Sequence, residues 1–366
     1  MRRIPVAEPV LNGHEKEYVM DCLETGWISG SGKYLNAFEE GFAAFCGTRY
    51  AVATFNGTVA LHVALLAVGV GAGDEVIVPD LTYIASANAV TYCGATPVLV
   101  DVDPHTWTLD IADVERKITS KTKAIMPVHL YGHPADMQPL MALAATHGLK
   151  IVEDAAEAHG AAYNGQLVGG IGHVATFSFF GNKVITTGEG GMVVTNDEAV
   201  ALHVKQLKGQ GQDFHRRYWF PIIGYNYRMT NLQAALGLAQ LERITWFIER
   251  RREVASWYAA QLQGCDLTLP IEASWAKNIY WLYSVVLPKH VNRDQAMQTL
   301  AAAGIETRPF FIPMHVLPPY FHADGDQQFP VTTALAAQGI NLPTAASLTR
   351  EEVTYVCDML KRCISG

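Results

Sequence analysis

From residue 49 onward, short β-branched runs alternate with segments whose apolar positions recur at helical spacing. "YAVAT" leads into "TVALHVALLAVG", "DEVIVP" into "SANAVTYCG", and "TPVLVDVD" into "IADVERKI". "KAIMPVHLYG" then precedes "MQPLMALAATHG", and "KIVEDAA" follows. Runs that are apolar on both faces suit strands of a sheet covered by helices on each side. Repeated strand–helix–strand units wind in one hand and predict a doubly wound, mostly parallel α/β layer.

After residue 173 the pattern turns strand-rich, with "VATFSFF" and "GGMVVTND". One long helix is expected near residues 230–262, starting at the capping pair Thr230 and Asn231. Beyond it, "YWLYSVVL" and "GIETRPFFIP" predict a smaller α+β unit. The expected division is a large α/β domain over 1–245, with a helical N-terminal segment, and a small C-terminal α+β domain over 246–366.

Composition narrows the function. The 366 residues are 49% hydrophobic and only 17% charged, enough for a sizeable core and unlike a disordered chain. A net charge of -8 argues against a nucleic-acid partner, which would need a basic face. The dense basic run Arg250, Arg251 and Arg252 is expected to lie on a solvated helix face. Six scattered cysteines without a CxxC pair suit neither a zinc site nor a disulfide framework, and predict reduced thiols in a cytoplasm. "MRRIPVAEPV" has no apolar stretch after its arginines, so no signal peptide is expected. The longest apolar run, "VALHVALLAVGVG", is interrupted by His62 and glycines and is too short to span a bilayer.

Three features fall where ligands bind in such sheets, outside the carboxyl ends of the strands. Asn56, Gly57 and Thr58 stand between a strand and a helix, where free N–H groups and the helix dipole suit a phosphate; an ordinary cap by Thr58 is the plainer reading. Asp154 ends an apolar strand, where a carboxylate needs a cationic partner or serves as a helix cap. A protonated pyridine nitrogen is such a partner. Lys183 lies in the apolar, glycine-bounded "FSFFGNKVITTGEGG", where desolvation makes an amine nucleophilic toward an aldehyde. Phosphate, ring nitrogen and aldehyde together describe pyridoxal 5′-phosphate. Ser178 can donate to the same phosphate and Tyr83 can stack on the ring. His129 and His159 read as core histidines.

Two competing patterns are weaker. Asp101, Asp103 and His105 in "VDVDPH" form a D-x-D that a metal-dependent glycosyltransferase would use, but a strand ending in a turn explains it more simply, so no metal is expected. "GVGAGDE" follows a helix and precedes a strand, the wrong order for a dinucleotide loop. A protein that keeps pyridoxal phosphate without turnover is the remaining alternative.

With these residues in place, the chain resembles the DegT/DnrJ/StrS sugar-nucleotide aminotransferases, within the fold-type I pyridoxal-phosphate enzymes. The likeness is carried by "NGTVALHVALLAVG", "GDEVIVPDLTYIASANAV", "IVEDAAEAHGA", "FSFFGNKVITTGEGGMVVTND", "GYNYRMTNLQAALGLAQLE" and "ETRPFFIPMH". It implies that Lys183 bonds the cofactor aldehyde, Asp154 meets the ring nitrogen, Tyr83 stacks on the ring, and Gly57, Thr58 and Ser178 hold the phosphate. It also implies that Asn226 reaches the phosphate of a neighbouring subunit, so that a symmetric homodimer or larger assembly shares its sites. Many members carry glutamine where this chain has Glu157, assigned here to the cofactor site and expected to be protonated. A related dehydratase branch has histidine in place of Lys183. L-glutamate is the implied amino donor and a nucleotide-linked keto sugar the acceptor, GDP-4-keto-6-deoxy-D-mannose before a dTDP or UDP sugar. Arg217, Arg308 and His315 are the candidates for sugar or diphosphate contact.

Overall fold

The computed structural model describes residues 3–365; Met1 and Arg2, where the segment read as lacking a signal peptide begins, and Gly366 lie outside them. The strands are β1 (Tyr50–Thr54), β2 (Glu75–Pro79), β3 (Thr96–Val100), β4 (Thr122–Ile125), β5 (Lys150–Asp154), β6 (Ala162–Tyr163) and β7 (Gln166–Leu167). They continue with β8 (Val174–Ser178), β9 (Gly191–Thr195), β10 (Ala276–Lys277), β11 (Tyr283–Val286), β12 (Arg308–Pro309) and β13 (Gly339–Leu342).

Seven strands make the main sheet in the order β1-β9-β8-β5-β4-β2-β3. All neighbours pair in parallel except along β9, which runs against both β1 and β8. The sheet is therefore mostly parallel, and its strands are buried nearly end to end because helices cover both faces. The reversal of β9 has a consequence for the site. Its first residue, Gly191, pairs with the last residues of β1 and β8, Thr54 and Ser178, at the carboxyl edge. A Cβ on Gly191 would stand 2.3 Å from the Asn56 carbonyl oxygen, so only glycine lets the chain return this close.

A second sheet, β11-β13-β12, packs with helices Ile244–Leu262, Arg293–Ala302 and Arg350–Ser365 around its own apolar cluster of Val254, Tyr258, Tyr283, Leu300 and Leu360. No helix among the described residues is long and apolar enough to cross a membrane, and the six cysteines are free thiols.

Two expectations fail here. The single helix over 230–262 is two, Asn231–Leu241 and Ile244–Leu262. Thr230 does cap the first, in a reciprocal box with Gln233. The interruption lets the first segment pack on helices Glu15–Thr25 and Lys33–Cys46 while the second runs against Arg350–Ser365, which one straight rod would not do. The basic run is not a solvated face either. Arg251 is only 2% exposed, because three main-chain carbonyls converge on its guanidinium from loops that a helical pattern does not reveal.

Candidate active site

The carboxyl ends of β1, β2, β4, β5 and β8 contribute to one cavity of about 410 Å³. After β1, Asn56 caps the helix Gly57–Ala67 by accepting from the Val59 amide at 3.0 Å. Asn56, not Thr58, is thus the cap; Thr58 lies in the first helical turn. The amides of Gly57 and Thr58 have no intrahelical partner and stand at the positive end of the dipole. Ser178, closing β8, lies directly against this helix start: a Cβ on Gly57 would come within 2.8 Å of its Cβ and 3.2 Å of its Oγ. Glycine here keeps the amides accessible.

Asp154 ends β5 and is buried. Ser86, in the helix Ala85–Tyr92 beyond β2, donates to its Oδ2 at 2.8 Å, and the Ala156 amide donates to its Oδ1 at 3.2 Å. Burial pushes its carboxyl up from the ordinary value, while Ser86, the Ala156 amide and the Lys183 charge pull it back. A carboxylate placed so, with its remaining capacity facing a cavity, is able to pair with a cationic ring nitrogen.

Lys183 sits in a tight turn after β8, its amide donating to the Phe180 carbonyl at 2.9 Å. Val184 and Ile185 anchor that turn in the core, which aims the lysine inward. Its Nζ lies 3.9 Å from the centre of the Trp281 ring and 3.7 Å from Glu157 Oε1. Burial lowers the amine below the usual lysine range, and the Glu157 and Asp154 charges only partly oppose it. Burial likewise pushes the Glu157 carboxyl up to about 7, against the attraction of Lys183 and a 2.8 Å hydrogen bond from the Tyr131 amide. Burial thus works against both charges, the direction that makes an amine more nucleophilic.

Gly57, Thr58, Tyr83, Asp154, Glu157, Ser178 and Lys183 thus line one cavity, as does Arg308 from β12. Tyr83 is 58% exposed, its ring 5.9 Å from Phe311 and available for stacking. The set fits pyridoxal 5′-phosphate: an open helix start beside a serine hydroxyl, a buried carboxylate and a desolvated amine.

Other expected residues lie elsewhere. Arg217 is exposed and bonds the neighbouring Tyr218 hydroxyl. His315 is 2% exposed and its Nδ1 lies 2.6 Å from Asp80, away from the cavity. Asn226 is exposed, accepts from Arg228 Nε, and does not line its own chain's cavity. His129 and His159 are buried outside it. Asp101 accepts from Val331 N, Thr332 N and Thr332 Oγ1, tying down the helix Pro330–Gln338, and Asp103 closes its own turn on Thr106. No cluster able to hold a metal occurs among the described residues. Reading the sequence missed Trp281 and Ser86. Ser86 follows the "DLTYIAS" strand end and was legible as a short polar residue there; Trp281 carries no local signal.

Residues 9–361 match the DegT/DnrJ/EryC1/StrS aminotransferase family. The chain is 53% identical to the GDP-perosamine synthase of Caulobacter vibrioides over 366 residues, covering 99% of this chain and 98% of that protein. It is 50% identical to the GDP-perosamine synthase of Escherichia coli O157:H7, covering the whole of both. Among solved structures, S. venezuelae DesV in complex with a ketimine intermediate superposes with a TM-score of 0.94 at 37% identity, over 100% of each chain.

Proposed function

Since the chain belongs to the DegT/DnrJ/EryC1/StrS aminotransferase family, we propose that this pyridoxal 5′-phosphate-dependent enzyme moves the amino group of L-glutamate to C4 of GDP-4-keto-6-deoxy-D-mannose. The products are GDP-perosamine and 2-oxoglutarate, and the aminated sugar feeds O-antigen or a related surface polysaccharide. The observation that carries the aminotransferase reading is the convergence of Lys183, Asp154 and the Gly57 helix start on one cavity. Full-length identity to GDP-perosamine synthases of two bacteria supports the choice of sugar.

The bound cofactor supplies an electron sink for the amino carbon. Lys183 Nζ, its basicity lowered by burial, would bond the cofactor when no substrate does, and when displaced would carry a proton to and from the donor α-carbon. Asp154 would hold the ring nitrogen protonated, which would sustain that sink. The Gly57 and Thr58 amides with Ser178 would grip the phosphate, and Tyr83 would stack on the ring. Glu157, beside Lys183, receives and returns a proton as the lysine cycles. Arg308 supplies the cavity with a guanidinium for an anionic substrate group. Asn226, exposed on its own chain, completes the phosphate grip of a second copy in a homodimer working in the cytoplasm.

Purified protein incubated with glutamate and a panel of nucleotide-linked keto sugars tests this. Turnover of GDP-4-keto-6-deoxymannose with release of 2-oxoglutarate is expected. Turnover of only a dTDP- or UDP-linked sugar would reassign the substrate, and cofactor retention with no reaction toward glutamate would leave a non-catalytic binder.

A further inference from the structure

Arg251 is a charge for which the proposed chemistry has no direct use. It stands in the middle of the helix Ile244–Leu262, almost wholly buried, with no carboxylate in ion-pair range among the described residues. A cation held this way is costly unless its donors are well satisfied. Its two terminal nitrogens go to main-chain carbonyls, Nη1 to Trp281 and to Thr344, each at 2.8 Å, and Nη2 to Lys183 at 3.4 Å, while its buried Nε has no partner among the described residues. One rigid fork therefore ties the lysine turn after β8, the segment before β11 and the segment after β13 to a single point.

Trp281 is the residue that turns this tie into chemistry. Its backbone carbonyl is held by Arg251, and its indole Nε1 donates to the carbonyl of Asn182 at 2.8 Å, the residue preceding Lys183. The ring is 3% exposed, and its face lies under the lysine Nζ, 3.9 Å from the ring centre. An aromatic face at that distance attracts an ammonium and offers no hydrogen bond that an amine must break on leaving. Trp281 also stacks toward Tyr131, whose amide holds Glu157.

The geometry points to Arg251 as a positioning residue for Lys183 that acts through Trp281, whose indole face is the resting place of the lysine amine whenever it is not bonded to the cofactor. Trp281 touches the reacting nitrogen and is a catalytic residue in that sense; Arg251 fixes the ring and the lysine backbone in one register. The inference rests on the proposed role of Lys183.

A double-mutant cycle on the cofactor-free protein tests it, read as the rate at which pyridoxal 5′-phosphate becomes borohydride-fixable on Lys183, alongside the thermal midpoint. Arg251→Met and Trp281→Leu are each expected to slow capture about tenfold, and the double variant to be within about twofold of Trp281→Leu alone, because both remove the same placement. Arg251→Lys, which keeps a donor but loses the fork, should recover part of the rate. Capture by Arg251→Met at the wild-type rate overturns the inference, whatever the thermal midpoint does. So does a double variant slowed by the product of the two single effects, since a merely structural arginine would act independently of the ring. If Arg251→Met does not fold, Arg251→Lys replaces it in the same cycle with the same two outcomes. Wild-type protein that never captures the cofactor defeats the function itself; capture by the wild type with multiplying effects defeats only the role of Arg251.

Discussion

The amine of Lys183 stands 3.7 Å from Oε1 of Glu157, and both side chains are almost entirely out of water. Burial therefore works on both groups at once, raising the acid and lowering the base. Glutamine at this position could not take up a proton from the lysine. Glu157 makes the proton on Lys183 a shared one.

That pairing gives a pH signature in the cofactor-free protein. The folded carboxyl of Glu157 titrates at about 7, above its ordinary 4.5. A raised acid favours the fold while neutral, so its contribution is fully present below the unfolded value and is lost as pH rises through the folded one. The thermal midpoint of the native protein, relative to Glu157→Gln, should fall between about pH 4.5 and about 7. A pH-independent difference would contradict the account.

Asp154→Asn should keep the cofactor, because the phosphate grip and Lys183 are untouched, yet lose the charge that holds the ring nitrogen protonated. The glutamate half-reaction, followed in a single turnover by absorbance, is expected to slow about a hundredfold or more. An undiminished rate would show that the carboxylate serves only as a partner for Ser86.

Gly57→Ala tests the helix start as the phosphate site. The added methyl would meet the Ser178 Cβ at 2.8 Å, so Ser178 must give way or the helix must shift, an overpacking penalty of about 1–3 kcal/mol. Cofactor binding measured by equilibrium dialysis should weaken at least in proportion. Unchanged retention would place the phosphate elsewhere.

Much of the fold was legible because strands buried on both faces are mostly apolar, as "YAVAT" and "TPVLV" are. Lys183 and Asp154 were legible for the converse reason: a charge at the end of such a run has no solvent to explain it. The remainder depends on tertiary proximity. Arg251 reads as a surface charge within a basic triplet, and the carbonyls that enclose it belong to loops far along the chain. The break at Glu242 and Arg243 is invisible because both helices keep the same apolar period. His315 reads as a site residue near "TRPFF", but the Asp80 carboxylate holds it inside.

The D-x-D motif gives a stability prediction. Asp101→Ala removes three hydrogen bonds to the start of the helix Pro330–Gln338 and should cost about 1–3 kcal/mol in denaturant unfolding. Activity of the native protein should survive chelators. Chelator-sensitive turnover would restore the metal reading of Asp101 and Asp103.

The central claim is that Lys183 is a covalent hook and not a surface charge. Borohydride reduction of the pyridoxal phosphate-loaded protein, followed by peptide mass mapping, reads this directly. The account predicts a reduced pyridoxyl-phosphate adduct on the peptide carrying Lys183, and none at all in Lys183→Ala. An equal adduct in that variant, or one on a different lysine of the native chain, would contradict it.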